Sequence, residues 1–259
     1  MATPTHPDVL LEPVRVPSVA DEVTDRLVTA VAVGAFAPGE HLPAERELAS
    51  MLGVSRSTVR EGIARLREAG LVETRRGRSG GAFVLASWTP ASASAVRRTL
   101  EPALPDLEPL FDLRARVEEM VARAAAERCT AQDAAVLREA LAAFAAARGP
   151  AQEHASDRRL HDAVLQVTAN PHLVALRRDL LGRVGLGLPL EPYRAEVFTR
   201  ALAEHADLVA AITGGEVERA GQVARSHFAM SAEALRETLA RGLGAEGPAA
   251  QRSASATEA

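Results

Sequence analysis

Arg56 and Arg60 stand four residues apart in GVSRSTVREG, residues 53–62. That spacing puts both guanidinium groups on one face of a helix. Arginine is a planar donor fork that can grip O6 and N7 of guanine, a contact carrying about 1–3 kcal/mol of base discrimination. Ser55, Ser57 and Thr58 around them are weak helix formers except at a cap. Their short side chains let a backbone come close and can bond phosphate oxygens. A second set lies far along the chain. Asp157 and His161 are again four apart, and His205 and His227 sit in apolar stripes of two later segments. Neutral imidazole and carboxylate suit a divalent transition metal, and facing helices can build such a site. The spacing alone suits hydrogen-bonded core histidines equally well.

The elements that must hold the first set are legible around it. VADEVTDRLVTAVAVGAF, from Val19, has apolar residues at helical spacing and stops at Gly34. A turn and a short helix from about Ala44 follow, closed by Gly53. Ser55 caps a third helix whose stripe is Val59, Ile63 and Leu66, ended by Gly70. LVET and AFVL read as two short strands joined by the basic tip RRGRSGG. Three helices and a β-hairpin over 19–86 predict a winged helix-turn-helix. The start of its third helix would enter the major groove. Arg46 would reach a phosphate or base beside it. Arg75, Arg76 and Arg78 on the wing would suit a narrow minor groove.

Residues 1–18 are proline-rich and read as a flexible N-terminus. Residues 87–106 turn to Ser, Thr, Ala and Pro and read as a linker, with a short helix near Val96 to Leu100. Beyond it, 107–241 shows amphipathic helices at 110–129, 131–148, 151–168, 171–185, 193–213 and 216–242. The tail, 242–259, is small and polar and is expected to be disordered. The fold class is therefore mainly α: a winged helix-turn-helix joined to an all-helical bundle of six to seven helices.

Composition narrows the function. A net charge of −4 over 259 residues argues against a wholly basic nucleic-acid binder. Yet every cation is arginine, and between Val54 and Gly80 arginines outnumber acids, as in a small DNA-binding module attached to something else. The single cysteine, Cys129, excludes an intrachain disulfide and fits a reducing cytoplasm. No apolar run reaches the roughly 20 residues that span a bilayer. Gly77 to Gly81 matches the G-x-S-x-G elbow of hydrolases, but that motif needs a helix after it and here a strand follows. A caged metal could activate water, but no second carboxylate stands at persuasive spacing to act as a base. The chain does not read as an enzyme. His154 and His172 read as solvated.

PGEHLPAERELASMLGVSRSTVREGIARLREAGLVETRRGRSGGAFV, residues 38–84, resembles the winged-helix domain of GntR-family bacterial transcription regulators. LPAERELA, GVSRSTVRE and GLV carry the likeness. It implies that Arg46, Arg56 and Arg60 read DNA, that Gly77 lies at the wing tip, and that a homodimer binds a pseudopalindromic operator. The part from about Leu107 to Arg241 looks like the FCD ligand-binding domain of the FadR subfamily, through DLRARVE, DRRLH, LAEHADLVAAI and ARSHFAM. The resemblance makes Asp157, His161, His205 and His227 ligands of zinc, or of nickel or manganese. That metal would help hold a carboxylate effector. Arg114 would face the carboxylate; a surface salt bridge to Glu118 is the alternative. Leu160 departs from the aromatic residue often found before the first histidine, which affects packing. The retained ligands argue against an acyl-CoA effector. The reading is a cytoplasmic, ligand-responsive repressor that senses a small organic acid. The alternatives are a DNA-binding regulator whose helical domain only dimerises and, more remotely, a metal-dependent enzyme.

Overall fold

The computed structural model describes residues 18–77, 80–184 and 198–244. The expected flexible N-terminus up to 17, the wing residue Arg78, the segment 193–197 and the tail beyond 244 lie outside the described residues.

Helix α1 (Val19–Ala32) starts at a capping box: Ser18 Oγ accepts from the Asp21 amide, and the Asp21 carboxylate accepts from the Ser18 amide. Helix α2 (Glu45–Leu52) ends at Gly53, whose φ of 68° is the left-handed conformation that closes a helix most cheaply with glycine. Helix α3 (Arg56–Glu68) is capped by Ser55, which accepts from the Thr58 amide at 3.1 Å. Val59 and Leu66 are fully buried beneath α3, as the stripe predicts, and Ile63 is half-buried. Strands β1 (Val72–Arg75) and β2 (Gly81–Val84) pair antiparallel, with Val72 opposite Val84 and Arg75 opposite Gly81. The segment before α2 lies along the other edge of β2: Gly39 N donates to Val84 O, Val84 N to Glu40 O, and Leu42 N to Ala82 O.

The segment expected as a linker carries more structure than its composition suggests. Helix α4 (Ser92–Leu100) buries Ala95, Val96 and Leu100 and packs on α1 and α10. Arg98 forks onto Asp25 of α1 at 2.6 and 2.7 Å. Helix α5 (Leu104–Arg128) begins before Pro105 and runs through Pro109. Pro105 sits in the first turn, where an amide would have no helical partner. Pro109 costs one backbone bond, and buried Leu107 and Phe111 anchor the turn around it.

Helices α6 (Ala131–Ala146), α7 (Pro150–Val167), α8 (Pro171–Val184), α9 (Phe198–Thr213) and α10 (Val217–Gly242) complete the bundle. The long α10 packs along α5. One apolar core runs from Leu27 and Leu66 through Val96 and Leu100 to Val121, Ile212 and Leu239. The fold is mainly helical with a small two-stranded hairpin, as the sequence predicts.

Candidate nucleic-acid face and metal centre

The tip of α3 exposes Ser55, Arg56, Ser57 and Arg60 to solvent, with Arg46 exposed on α2 and Thr58 half-buried. Ser55 Oγ lies 2.7 Å from Ser57 Oγ and 2.8 Å from Thr58 Oγ1, a hydroxyl cluster at the helix N-terminus. Arg60 donates through Nε and Nη2 to Glu45 at 3.1 and 2.8 Å. This fork holds the Glu45 carboxyl below the usual carboxylate range. Arg65, farther along α3, serves the fold: it bonds Asp21 and Glu61. On the wing, Arg75 lies over the Phe83 ring, 4.1 Å from its centroid, while Arg76 and Gly77 are exposed. Gly77 has a φ of 110°. The hairpin thus turns where the sequence reading put the wing tip.

The second set converges from three helices. Asp157 and His161 come from α7, His205 from α9 and His227 from α10, and all four are buried. His205 Nε2 lies 3.2 Å from His227 Nε2, which lies 3.3 Å from His161 Nε2. Asp157 Oδ1 stands 3.5 Å from His205 Nε2 and 3.7 Å from His161 Nε2. A tetrahedral zinc with bonds of ~2.0–2.1 Å separates its ligand atoms by about 3.3–3.4 Å. The imidazole spacings fit that edge, with the carboxylate slightly outside it.

Proton placement agrees with the spacing. His227 Nδ1 lies 2.8 Å from Glu204 Oε2. A carboxylate only accepts, so Nδ1 carries the hydrogen, and in neutral His227 the lone pair is on Nε2 and faces the other rings. Carboxylate support of this kind orients metal-binding histidines. Burial pushes the Glu204 carboxyl up, but the hydrogen bonds and charges of His227 and Arg200 outweigh it and leave it below its ordinary value. Glu204 was missed in the sequence. It precedes His205 and pairs with Arg200 at i+4 like any surface acid, while its other partner is on α10.

Aromatic rings wall the cage. Phe144 packs on His205 at 4.7 Å between centroids, and Phe228 on His161 and His227 at 4.8 and 5.0 Å. Phe228 also meets Arg114, whose Cζ is 4.8 Å from the ring centroid. Arg114 is 1% exposed and donates to Ser231 Oγ at 3.2 Å. Both Arg114 and Glu118 are buried, so the alternative pairing of the two would lie inside the bundle and not on the surface. Glu118 accepts from Arg177 of α8 at 2.9 Å. His154 also departs from expectation. It is fully buried, with Nδ1 donating to Glu40 Oε2 at 2.7 Å. His172 is exposed, as expected.

A winged helix with an exposed arginine-bearing tip, joined to a helical bundle with an inward histidine cluster, defines a DNA-binding transcriptional regulator. Comparison with known proteins agrees. Residues 19–84 match the family described as bacterial regulatory proteins, gntR family, and residues 109–230 match the FCD domain. The galactonate operon transcriptional repressor of Escherichia coli is 32% identical, covering 83% of this chain and 97% of its own. The Uxu operon transcriptional regulator of the same organism is 36% identical over 56% of each chain. A solved GntR structure from Streptococcus agalactiae is 22% identical, covering 82% of this chain and 97% of its own, with a TM-score of 0.42. The chain belongs to the GntR family and carries an FCD domain. These relatives are regulators of transcription, not enzymes. Among the described residues no helix is long and apolar enough to cross a membrane.

Proposed function

We propose that this regulator is a homodimeric repressor of the FadR subfamily that binds a divalent metal in its helical domain and senses a small organic acid there. The observation that carries this reading is the convergence of three buried imidazole nitrogens at 3.2 and 3.3 Å. Asp157, His161, His205 and His227 would hold the ion, zinc fitting best and nickel or manganese being the other candidates. Bound there, the ion would supply a Lewis-acidic anchor for an anionic ligand. Arg114 supplies the second anchor: a buried guanidinium suits a carboxylate through its planar fork. Glu204 orients His227, and the Phe144 and Phe228 rings exclude water. One relative is named for an operon of galactonate, a hydroxy acid, which is consistent with an effector of that class.

In the DNA half, Arg46, Arg56 and Arg60 would read base edges. Ser55, Ser57 and Thr58 would bond phosphates, and Arg76 and Gly77 would form the wing contact. Two copies on a pseudopalindrome would place two α3 helices in successive major grooves. Effector binding would shift the population of dimer arrangements and so the spacing of those helices. The protein would work in the cytoplasm, where its DNA lies.

The test is elemental analysis of the purified protein with thermal-shift screening of small carboxylic acids. A ligand at a hundred times its Kd adds about 2.7 kcal/mol to the folded state. A bound or rebinding transition metal is expected, with an acid that raises Tm only in metal-loaded protein. Protein that binds no metal and answers no acid would leave a helical domain that only dimerises. For the DNA half, Arg56→Ala with Arg60→Ala should abolish preference among duplexes selected from a random pool. Preference retained in the double variant would overturn the assignment of α3.

A further inference from the structure

Besides the shared apolar core, a polar contact between the two halves is centred on Glu40. Its carboxylate bridges the two halves: Oε2 accepts from the Ala37 amide of the winged helix at 3.0 Å and also reaches α7. Oε2 accepts from His154 Nδ1 at 2.7 Å, and Oε1 lies 3.1 Å from Arg158 Nη1. Both partners are on α7, the helix that carries Asp157 and His161. His154 is one turn before Asp157, roughly 4.5 Å along the helix axis. Gly39 faces the same helix, where a Cβ would stand 3.7 Å from that of Ala151.

The backbone of the same residue belongs to the wing. Glu40 O accepts from Val84 N at 2.9 Å, flanked by the bonds of Gly39 and Leu42 to β2. The next residue, His41, donates from Nε2 to Gly80 O at 3.2 Å, and its ring meets Phe83 edge-on at 5.0 Å. The imidazole fills the space beside Gly81, where a Cβ would lie 1.9 Å from Nε2. Phe83 in turn carries the Arg75 guanidinium. A continuous set of hydrogen bonds and ring contacts therefore runs from the Asp157–His161 turn to the wing.

We propose that the Glu40–His154–Arg158 cluster is the coupling contact of this regulator, passing a change at the ligand-binding turn of α7 to the wing that meets DNA. The proposal rests on the reading of the histidine cage as a ligand site. A largely buried, fully hydrogen-bonded carboxylate suits the role. It contributes little net stability when satisfied, but loss of one partner strands the other. The arrangement is thus held in one geometry and does not slide.

The experiment is hydrogen exchange by mass spectrometry on the full chain, with zinc alone as the probe. Wild type, Glu40→Ala and the milder Glu40→Gln are compared, with zinc affinity measured on each. In wild type, zinc should slow exchange in peptides over β1 and β2 severalfold. In Glu40→Ala that slowing should vanish while zinc affinity stays within about twofold, since Glu40 is no candidate ligand. Full zinc-dependent slowing in the variants, or zinc binding to wild type with no effect on the wing, overturns the proposal. If zinc does not bind at all, the reading of the cage falls, and the contact is judged in the metal-free protein. There Glu40→Ala should speed wing exchange about tenfold, with α9 unchanged. Unchanged wing exchange overturns it. Should Glu40→Ala fail to fold, Glu40→Gln and Arg158→Ala carry the same comparison.

Discussion

Glu204 offers the sharpest test of the proposed metal centre, because it is no candidate ligand yet sets the tautomer of one. Its Oε2 accepts from His227 Nδ1 at 2.8 Å, and Arg200 donates to its other oxygen at 2.9 Å. Glu204→Ala leaves His227 free to carry its proton on either nitrogen and removes a negative charge behind the ring. Supporting carboxylates of this kind are worth about 10–100-fold in metal affinity. The hydrogen bond gives a similar figure independently. A bond to a charged group contributes about 1.5–3 kcal/mol, which corresponds to about 10–150-fold. The Glu204 side chain is 22% exposed, so water replaces part of what is lost. The lower end follows: about tenfold weaker zinc binding. The assay is competition against a chromophoric chelator at neutral pH, with His161→Ala as the variant that removes a ligand outright. Glu204→Gln keeps an acceptor oxygen without the charge and should fall between wild type and Glu204→Ala. Zinc held by Glu204→Ala as tightly as by wild type, with binding lost in His161→Ala, would refute the orienting role of Glu204.

Three further outcomes follow from the structure. Burial raises the Glu40 carboxyl, but the His154 hydrogen bond and charge, the Ala37 amide and Arg158 together bring it below its ordinary 4.5. A depressed carboxyl contributes stability that is complete above that value and is lost as pH falls through the lower native one. Glu40→Gln should therefore flatten the acid limb of Tm against pH, and an acid limb identical to wild type would count against the pair. Leu66, fully buried under α3, should cost about 2–4 kcal/mol on change to Ala in denaturant unfolding; a loss under about 1 kcal/mol would mean that the site collapses around the gap. Ser55→Ala removes the α3 cap and should cost about 1 kcal/mol by the same measurement, whereas Ser57→Ala, which caps nothing, should leave stability near wild type while weakening DNA binding.

Local periodicity carried most of the fold into view. The α3 stripe at Val59 and Leu66 and the Ser55 cap depend on neighbours a turn away, and both are where the sequence places them. The four candidate ligands were visible for the same reason: each lies on the apolar face of its own helix. What stayed hidden depends on partners distant in sequence. Glu40 and His154 are 114 residues apart and neither breaks a local pattern, so His154 read as solvated. Nothing local singles out Glu204, which has Arg200 four residues before it and whose bond to His227 crosses between helices. Helix α4 is expected near Val96 to Leu100, but its start at Ser92 lies in a Ser, Ala and Thr composition shared with loops. Its burial against α1 and α10 decides its state, and propensity does not. Arg114 shows the reverse failure. Its i+4 acid suggested a surface pair, but α5 turns that face inward, against Phe228 and Ser231.

The slightly acidic total charge of a DNA-binding chain is resolved by asking which arginines are engaged. Arg98, Arg116, Arg123, Arg177 and Arg236 all pair with acids, so they cancel where they stand. Arg65 does the same inside the winged helix, joining α3 to α1. Arg60 is paired too, but with Glu45 on the same exposed face, so the pair orients a donor that still faces solvent. Arg46, Arg56 and Arg76 are exposed as well. On the proposed function, the field that a phosphate backbone meets would be set by a few side chains of the winged helix, and the net charge of −4 would describe mainly the other surfaces. Burial gives the same side chain the opposite use at Arg114, where exclusion of water strengthens each remaining interaction. On that same proposal, arginine would serve one half of this regulator as a hydrated reader of a polyanion and the other as a desolvated anchor, and the environment that each helix imposes separates the two.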